Sequence, residues 1–320
     1  MILEIQHETR LRYTRPATEW IAEFRVEPVS DADQSCASFD LTFTPKAEPG
    51  KYFDGFGNRV HHVNLLAPGQ EVRALAAAVV ETHPRDPDLA RSTATIAQTA
   101  ASRPLETIDY LRFGGPVRSS EKLASLFAEL APAPDRPAAA FVRRVASVIH
   151  ERFEYAKAVT SATSPIDDVL SLGQGVCQDF AHLMIGLLRL AQVPARYVSG
   201  YIHRPGKESQ SHAWVESWIA DRGWVGIDPT NDTLIGESFV KVAVGRDFTD
   251  VQPNRGVYRG TGEEQIHARV QTRKLDRLPT MSWRDQLPKL DSPLVEILPQ
   301  LSRADLDDDE LAAEASQQQQ

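Results

Sequence analysis

Cysteine is scarce in this 320-residue chain: there are two, Cys36 and Cys177, and no Cys-x-x-Cys pair. A disulfide framework and a thiolate zinc site are therefore excluded as architectures. The nine histidines include no His-Glu-x-x-His, and His61-His62 are expected on opposite faces of a strand, so neither metal nor cofactor is expected. No EF-hand-type loop suggests calcium. Phosphate loops are missing too, since Gly173-Gln-Gly175 lacks the lysine or third glycine that nucleotide sites need. Positive charge is in deficit: 35 Lys and Arg stand against 44 Asp and Glu, a net charge of -9, which disfavours nucleic acid as a partner. Arg143-Arg144 is a local basic pair that reads as a solvated helix face. No stretch approaches the roughly 20 apolar residues that cross a bilayer, so no membrane contact is expected. Met1 to His7 alternates like a strand and not like a signal peptide, which makes the cytoplasm the expected compartment and two free thiols the expected redox state.

What is present suits two folded parts and a tail. With 42% hydrophobic and 25% charged residues the chain can bury two modest cores. Residues 1–82 alternate in segments such as Leu3 to Leu11, Trp20 to Val26, Ser38 to Thr44 and Arg59 to Leu66, with turns at Pro28, Pro45-Lys46 and Gly55 to Asn58. This predicts an antiparallel β-rich domain with a structural or substrate-positioning role. Residues 83–135 are rich in Pro and Ala and read as a connector with one amphipathic helix near Ser120 to Leu130. Residues 136–275 make the next unit, opening on a helix over Ala138 to Phe153. Beyond it, 276–320 is an extension with prolines, an acidic run and a final Gln tract, its last two dozen residues expected to be disordered and its apolar pieces at Leu287 to Leu298 expected to pack back onto the domain.

The densest signal surrounds Cys177. The run Gly173-Gln-Gly-Val-Cys177-Gln-Asp179-Phe-Ala181-His leads into a helix whose Phe180, Leu183, Met184, Leu187, Leu188 and Ala191 recur at three- and four-residue spacing. Gly173 and Gly175 break structure ahead of it and Asp179 is the expected N-cap, which sets Cys177 at or just before the first turn. Unpaired amides and the helix dipole favour thiolate over thiol there. The same amides can bind an oxyanion, with the Cys177 backbone N–H as first donor and the Gln174 side chain as second. Pro194 then stops the helix and Ala195 to Ile202 reads as a strand. In Ser211 to Ile219 alternation puts His212, Trp214, Glu216 and Trp218 on one face. Asp221-Arg222-Gly223 turns the chain, and Trp224 to Asp228 returns before Pro229.

A lone cysteine is ordinarily a small buried hydrophobe, a lone histidine a structural one, and an Asp before Pro a turn residue. It is their joint order that proposes a Cys177, His212, Asp228 triad. Strand counting raises one difficulty: a two-residue hairpin pairing Ala220 with Gly223 sets Asp228 opposite Val215 and His212 opposite Asn231. A bulge, a longer loop or another strand order must bring His212 to Asp228.

The order and the segments Gly175 to Ala181, Pro194 to Tyr201, His212 to Glu216 and Trp224 to Asn231 resemble the transglutaminase-like superfamily of papain-type cysteine enzymes. Val244 to Gly260 looks like the strand and loop that follow the triad in its bacterial branch, and the N-terminal part with Asp54-Gly-Phe-Gly-Asn58 looks like the β-rich region that precedes it. The resemblance implies an α+β fold, papain-like in its catalytic domain, and a thiol acyl-transfer centre acting on protein or peptide substrates. Hydrolysis of peptide or isopeptide amides is the favoured outcome, with transfer of a glutamine acyl group to an amine as the alternative. A binding module that lost catalysis is the third reading, against which the intact three residues stand. Oligomeric state is left open.

Overall fold

The computed structural model describes residues 1–66, 68–84, 86–205, 210–279 and 295–296. The alternating N-terminal segment folds into six strands: β1 (Ile2–Ala17), β2 (Glu19–Phe24), β3 (Gln34–Thr44), β4 (Gly50–Phe53), β5 (Arg59–Leu65) and β6 (Gly69–Thr82). The connector carries α1 (Ile96–Ala101) and α2 (Glu121–Leu130), the latter capped by the Ser120 hydroxyl, which accepts from Leu123 N. There follow α3 (Ala138–Arg152), β7 (Glu154–Tyr155), α4 (Ile166–Leu172), β8 (Gln174–Gly175), α5 (Cys177–Leu190), β9 (Ala195–Ile202), β10 (Gln210–Ile219), β11 (Gly223–Asp228), β12 (Thr233–Leu234) and β13 (Phe239–Gly245). The chain closes with β14 (Asn254–Arg259), β15 (Glu264–Leu275) and β16 (Val295–Glu296).

The last strands return to the beginning of the chain. β15 runs antiparallel along β1 from Ile2↔Leu275 to Tyr13↔Glu264, and β14 pairs with β2. The N-terminal module is thus two sheets, β16-β15-β1-β6-β3 and β14-β2-β5-β4, closed over a core that includes Leu11, Trp20, Phe24, Phe43 and Ile266. Residues 254–275, grouped with the catalytic segment when the sequence is read alone, are built into the β module instead. Local periodicity marks a strand without naming its partner. Of the C-terminal extension, the expected disorder and the apolar pieces of 287–298 lie outside the described residues, apart from Val295 and Glu296.

The second module is a sheet in the order β12-β11-β10-β9-β13 packed on α5 and α3. From Asp179 to Arg189 every residue of α5 is buried, because the sheet covers one side and α2, α3 and α4 the other. Side chains such as Leu183 and Leu187 each contribute about 1.5–3 kcal/mol by leaving water. The two modules do not have separate cores. Leu3, Ile5, Ala78 and Val80 of the N-terminal sheet pack in one cluster with Phe141, Leu188 and Val240.

Polar staples complete the joint. Asn58 Nδ2 donates to the Val244 carbonyl at 2.8 Å and its Oδ1 accepts from Val244 N at 2.7 Å. Gln34 does the same at Lys241, its Oε1 accepting from the amide at 2.8 Å and its Nε2 donating to the carbonyl at 2.9 Å. Two carboxamides thereby imitate a neighbouring strand along the edge of β13 and satisfy buried backbone groups. His61 and His62 do face opposite ways. His61 is buried with Nε2 2.7 Å from Glu27, and His62 is exposed.

Candidate active site

Cys177 is the first residue of α5, with Val176 in extended backbone as the N-cap. The helix therefore begins two residues before the expected cap Asp179. Asp179 reaches back from inside the first turn, accepting from Val176 N at 2.8 Å, the carboxylate half of a capping box. Its other partner is the Thr160 hydroxyl at 2.6 Å, which ties the loop after β7 to the helix start. Gly175 makes room for this: a Cβ there would lie 2.9 Å from the Asp179 carboxylate. The Cys177 N–H, at the first helical position, has no acceptor within the helix. Gln174 pairs in β8 and its amide donates to Glu154 at 2.8 Å.

The register of β10 and β11 resolves the strand-counting difficulty. The ladder begins at Ile219↔Gly223 and ends at Val215↔Ile227, because the loop has three residues, Ala220 to Arg222, with Gly223 at φ 76°. One residue more in the loop moves every side chain of β11 to the other face relative to a two-residue turn. Asp228 comes level with Trp214, on the face of His212, and His212 Nε2 donates to Asp228 Oδ2 at 2.7 Å. Nε2 being committed there, Nδ1 is the ring nitrogen left, and Cys177 is near enough to the ring to raise its pKa.

Burial sets the electrostatics. It disfavours imidazolium, but the hydrogen bonds to Asp228 and Cys177 and their charges outweigh it and push His212 up to about 10. Asp228 is fully buried, which raises a carboxyl. Its bond from His212, a second from Asn231 Nδ2 at 2.5 Å and a third from Thr230 N at 2.8 Å outweigh burial and hold it below the usual carboxylate range.

Residues that sequence reading gave no role hold this arrangement. Arg143 and Ser147 of α3 meet Asp232, and His150 meets the Thr230 carbonyl at 2.9 Å, so one helix face pins the turn that carries Asp228. Arg143 is thus not simply a solvated charge, whereas Arg144 pairs at the surface with Glu151. Asn231 bridges Asp228 to Arg204, accepting from Arg204 Nη2 at 2.8 Å. Tyr155 stands opposite Gly175 in the β7–β8 pair. Its phenol is pushed up to about 12, by burial first and then by charge on Cys177, with Arg204 pulling the other way. Glu216, expected as a strand-face charge, is buried between Arg196 at 2.5 Å and Lys241 at 2.6 Å, and Arg196 stacks on Trp224 at 4.1 Å. Asn231 was legible as part of a motif. Arg204 and Tyr155 gave no local signal, because neither periodicity nor spacing reports contacts made across the fold.

Among the described residues no group of three or more His, Cys, Asp or Glu side chains converges to hold a metal. Cys36 and Cys177 are both free thiols.

Residues 125–229 match the transglutaminase-like superfamily, and residues 3–81 match the bacterial transglutaminase-like N-terminal region. An uncharacterized protein of Mycobacterium leprae (strain TN) is 34% identical over 285 residues, 85% of this chain and 99% of that protein. A protein-glutamine gamma-glutamyltransferase of Pseudomonas aeruginosa is 32% identical over 126 residues, 36% of this chain and 19% of its own. The crystal structure of a candidate cysteine protease from Cytophaga hutchinsonii superposes with a TM-score of 0.72 at 22% identity, covering 87% of this chain and 93% of the other, and so shares the fold.

Proposed function

The chain belongs to the transglutaminase-like superfamily, and from that premise we propose that it performs thiol-dependent acyl transfer on peptide or isopeptide amides, with water as the acyl acceptor. The observation that supports the reading is the buried His212–Asp228 pair, with Cys177 at a helix N-terminus among the groups that raise His212. His212 takes the thiol proton, and Asp228 fixes the tautomer and stabilises the imidazolium. The thiolate attacks the amide carbon, and the oxyanion lies against the free Cys177 N–H. As the C–N bond breaks, Nδ1–H protonates the departing nitrogen and a thioester remains. Water then attacks, giving its proton back to His212, and the acid leaves with the thiol restored. Gln174 serves as a second oxyanion donor only by releasing Glu154.

Transfer to a primary amine is the second reading, favoured by the similarity to the Pseudomonas gamma-glutamyltransferase over 126 residues. The two share the thioester and differ in what attacks it. Peptide or protein substrates and a reducing, cytoplasmic setting belong to the same proposal. Incubation with glutamine-containing peptides, with and without a primary amine, tests it. Hydrolysed product that depends on Cys177 and persists in the presence of the amine supports hydrolysis, amine adducts in its place support transfer, and no acyl-enzyme with any peptide contradicts both.

A further inference from the structure

We propose that Asn231 is a positioning residue of the triad, whose carboxamide shares Asp228 Oδ2 with His212 and thereby limits how strongly the carboxylate holds the imidazolium. This rests on the acyl-transfer reading and deepens it. Asp228 Oδ2 accepts from His212 Nε2 at 2.7 Å and from Asn231 Nδ2 at 2.5 Å. Oδ1 accepts from the backbone N–H groups of Thr230 at 2.8 Å and of Asn231 at 3.3 Å. Two donors on each oxygen fill the acceptor sites of a carboxylate. The two oxygens have different tasks. The backbone amides anchor Oδ1 within the turn, and α3 holds that turn through Ser147 on Asp232 at 3.1 Å and His150 on the Thr230 carbonyl at 2.9 Å. The carboxylate is therefore oriented without the Asn231 side chain. What Nδ2 adds is a second donor on the oxygen that serves His212.

The orientation of the carboxamide is fixed by its partners. Its oxygen accepts from Arg204 Nη2 at 2.8 Å, and a guanidinium has no acceptor while the ionised Asp228 has no donor, so Oδ1 faces Arg204 and Nδ2 faces Asp228. A charge-assisted bond at the oxygen polarises the amide and strengthens its N–H as a donor. Electron density drawn from Oδ2 by this N–H is not available to the imidazole. The consequence falls on the second half of the reaction. Asp228 stabilises imidazolium while the thiolate forms, but water attacking the thioester needs the neutral ring back as a base. A donor shared at Oδ2 keeps the proton from being held too firmly for that return. Among the described residues, the charged and titratable groups that meet this network are His212 of β10, Cys177 of α5, Arg143 and His150 of α3, Asp232 of the turn and Arg204 after β9.

The test is NMR titration of the His212 ring in the full chain, in wild type and in Asn231→Leu, which keeps the shape of the side chain and removes the donor. The His212 midpoint is expected to rise by about one pH unit in the variant, about a tenfold gain in proton affinity, and iodoacetamide labelling of Cys177 is expected to extend to correspondingly lower pH. A purely structural Asn231 gives the opposite sign, because an Asp228 released from its place supports the imidazolium less. A midpoint that stays or falls therefore overturns the proposal. The wild type supplies a measurement for which no variant has to fold: a side-chain amide proton of Asn231 is expected downfield and protected from exchange, and an ordinary, rapidly exchanging amide overturns the shared bond. Wild-type Cys177 that labels as an ordinary thiol contradicts the acyl-transfer reading, while the His212 midpoint still reports on Asn231.

Discussion

Asp228 stands one step past the last rung of its ladder with β10, level with Trp214, and still sets Oδ2 2.7 Å from His212 Nε2. The diagonal is reached only because the turn has three residues. Both groups are buried, so little solvent screens the pair.

Replacing Asp228 by Asn keeps the shape and removes the charge. His212 is then expected to titrate well below its present value of about 10, and acyl transfer to fall by about 10²- to 10⁴-fold. Because the folded value is raised above the ordinary 6.5, the stability this group contributes is fully present below about pH 6.5 and is lost as pH rises through about 10. NMR titration of His212 with urea unfolding at pH 6.5 and pH 10 checks both, the alkaline loss being smaller in the variant.

Glu216 gives the opposite sign. Burial raises its carboxyl, but Arg196 and Lys241 outweigh that and hold it down at about 2. Its contribution is present above about pH 4.5 and fades as pH falls toward 2. Glu216→Ala leaves two cations without their shared anion and is expected to cost about 3 kcal/mol at neutral pH, measured by urea unfolding.

Gly175→Ala puts a methyl group 2.9 Å from the Asp179 carboxylate. The cap on Val176 N is then displaced, with a loss of about 1 kcal/mol or more. Because Cys177 lies between these residues, its alkylation rate should fall in the same variant.

Asn58→Ala strips the buried amide and carbonyl of Val244 of their partners at once. A loss of about 2–4 kcal/mol is expected, since each buried unsatisfied group costs about 1–3 kcal/mol. Calorimetry should show one transition moving to lower temperature as a whole, because the modules share a core. Two separated transitions would contradict the shared core.

Much of the site was legible because its signals are local. Gly173 to His182 announces a helix start, alternation sets His212 on a strand face, and Pro229 marks the end of the strand bearing Asp228. Asp179 was misplaced by three positions, since a carboxylate three positions into a helix caps as well as one before it. Register was not legible, because loop length by one residue decides which face Asp228 takes. Nor was the return of β14 and β15 to the first strands, which depends on pairings more than 200 residues apart in sequence. Glu216 was legible only as a charge on a strand face, because such a face carries no mark of what covers it, here Lys241 from β13 and Arg196 from β9.

Whether His212 activates Cys177 is read from the pH profile of Cys177 alkylation by iodoacetamide, followed by mass spectrometry, in wild type and His212→Ala. Cys36 is an internal control, since burial pushes its thiol up to about 11. Rapid labelling of Cys177 alone is expected at about pH 6, well below the range of an ordinary thiol, and is expected to be lost in His212→Ala. Labelling that rises only near pH 8.5, as for an ordinary thiol, and is the same without His212, would contradict that activation.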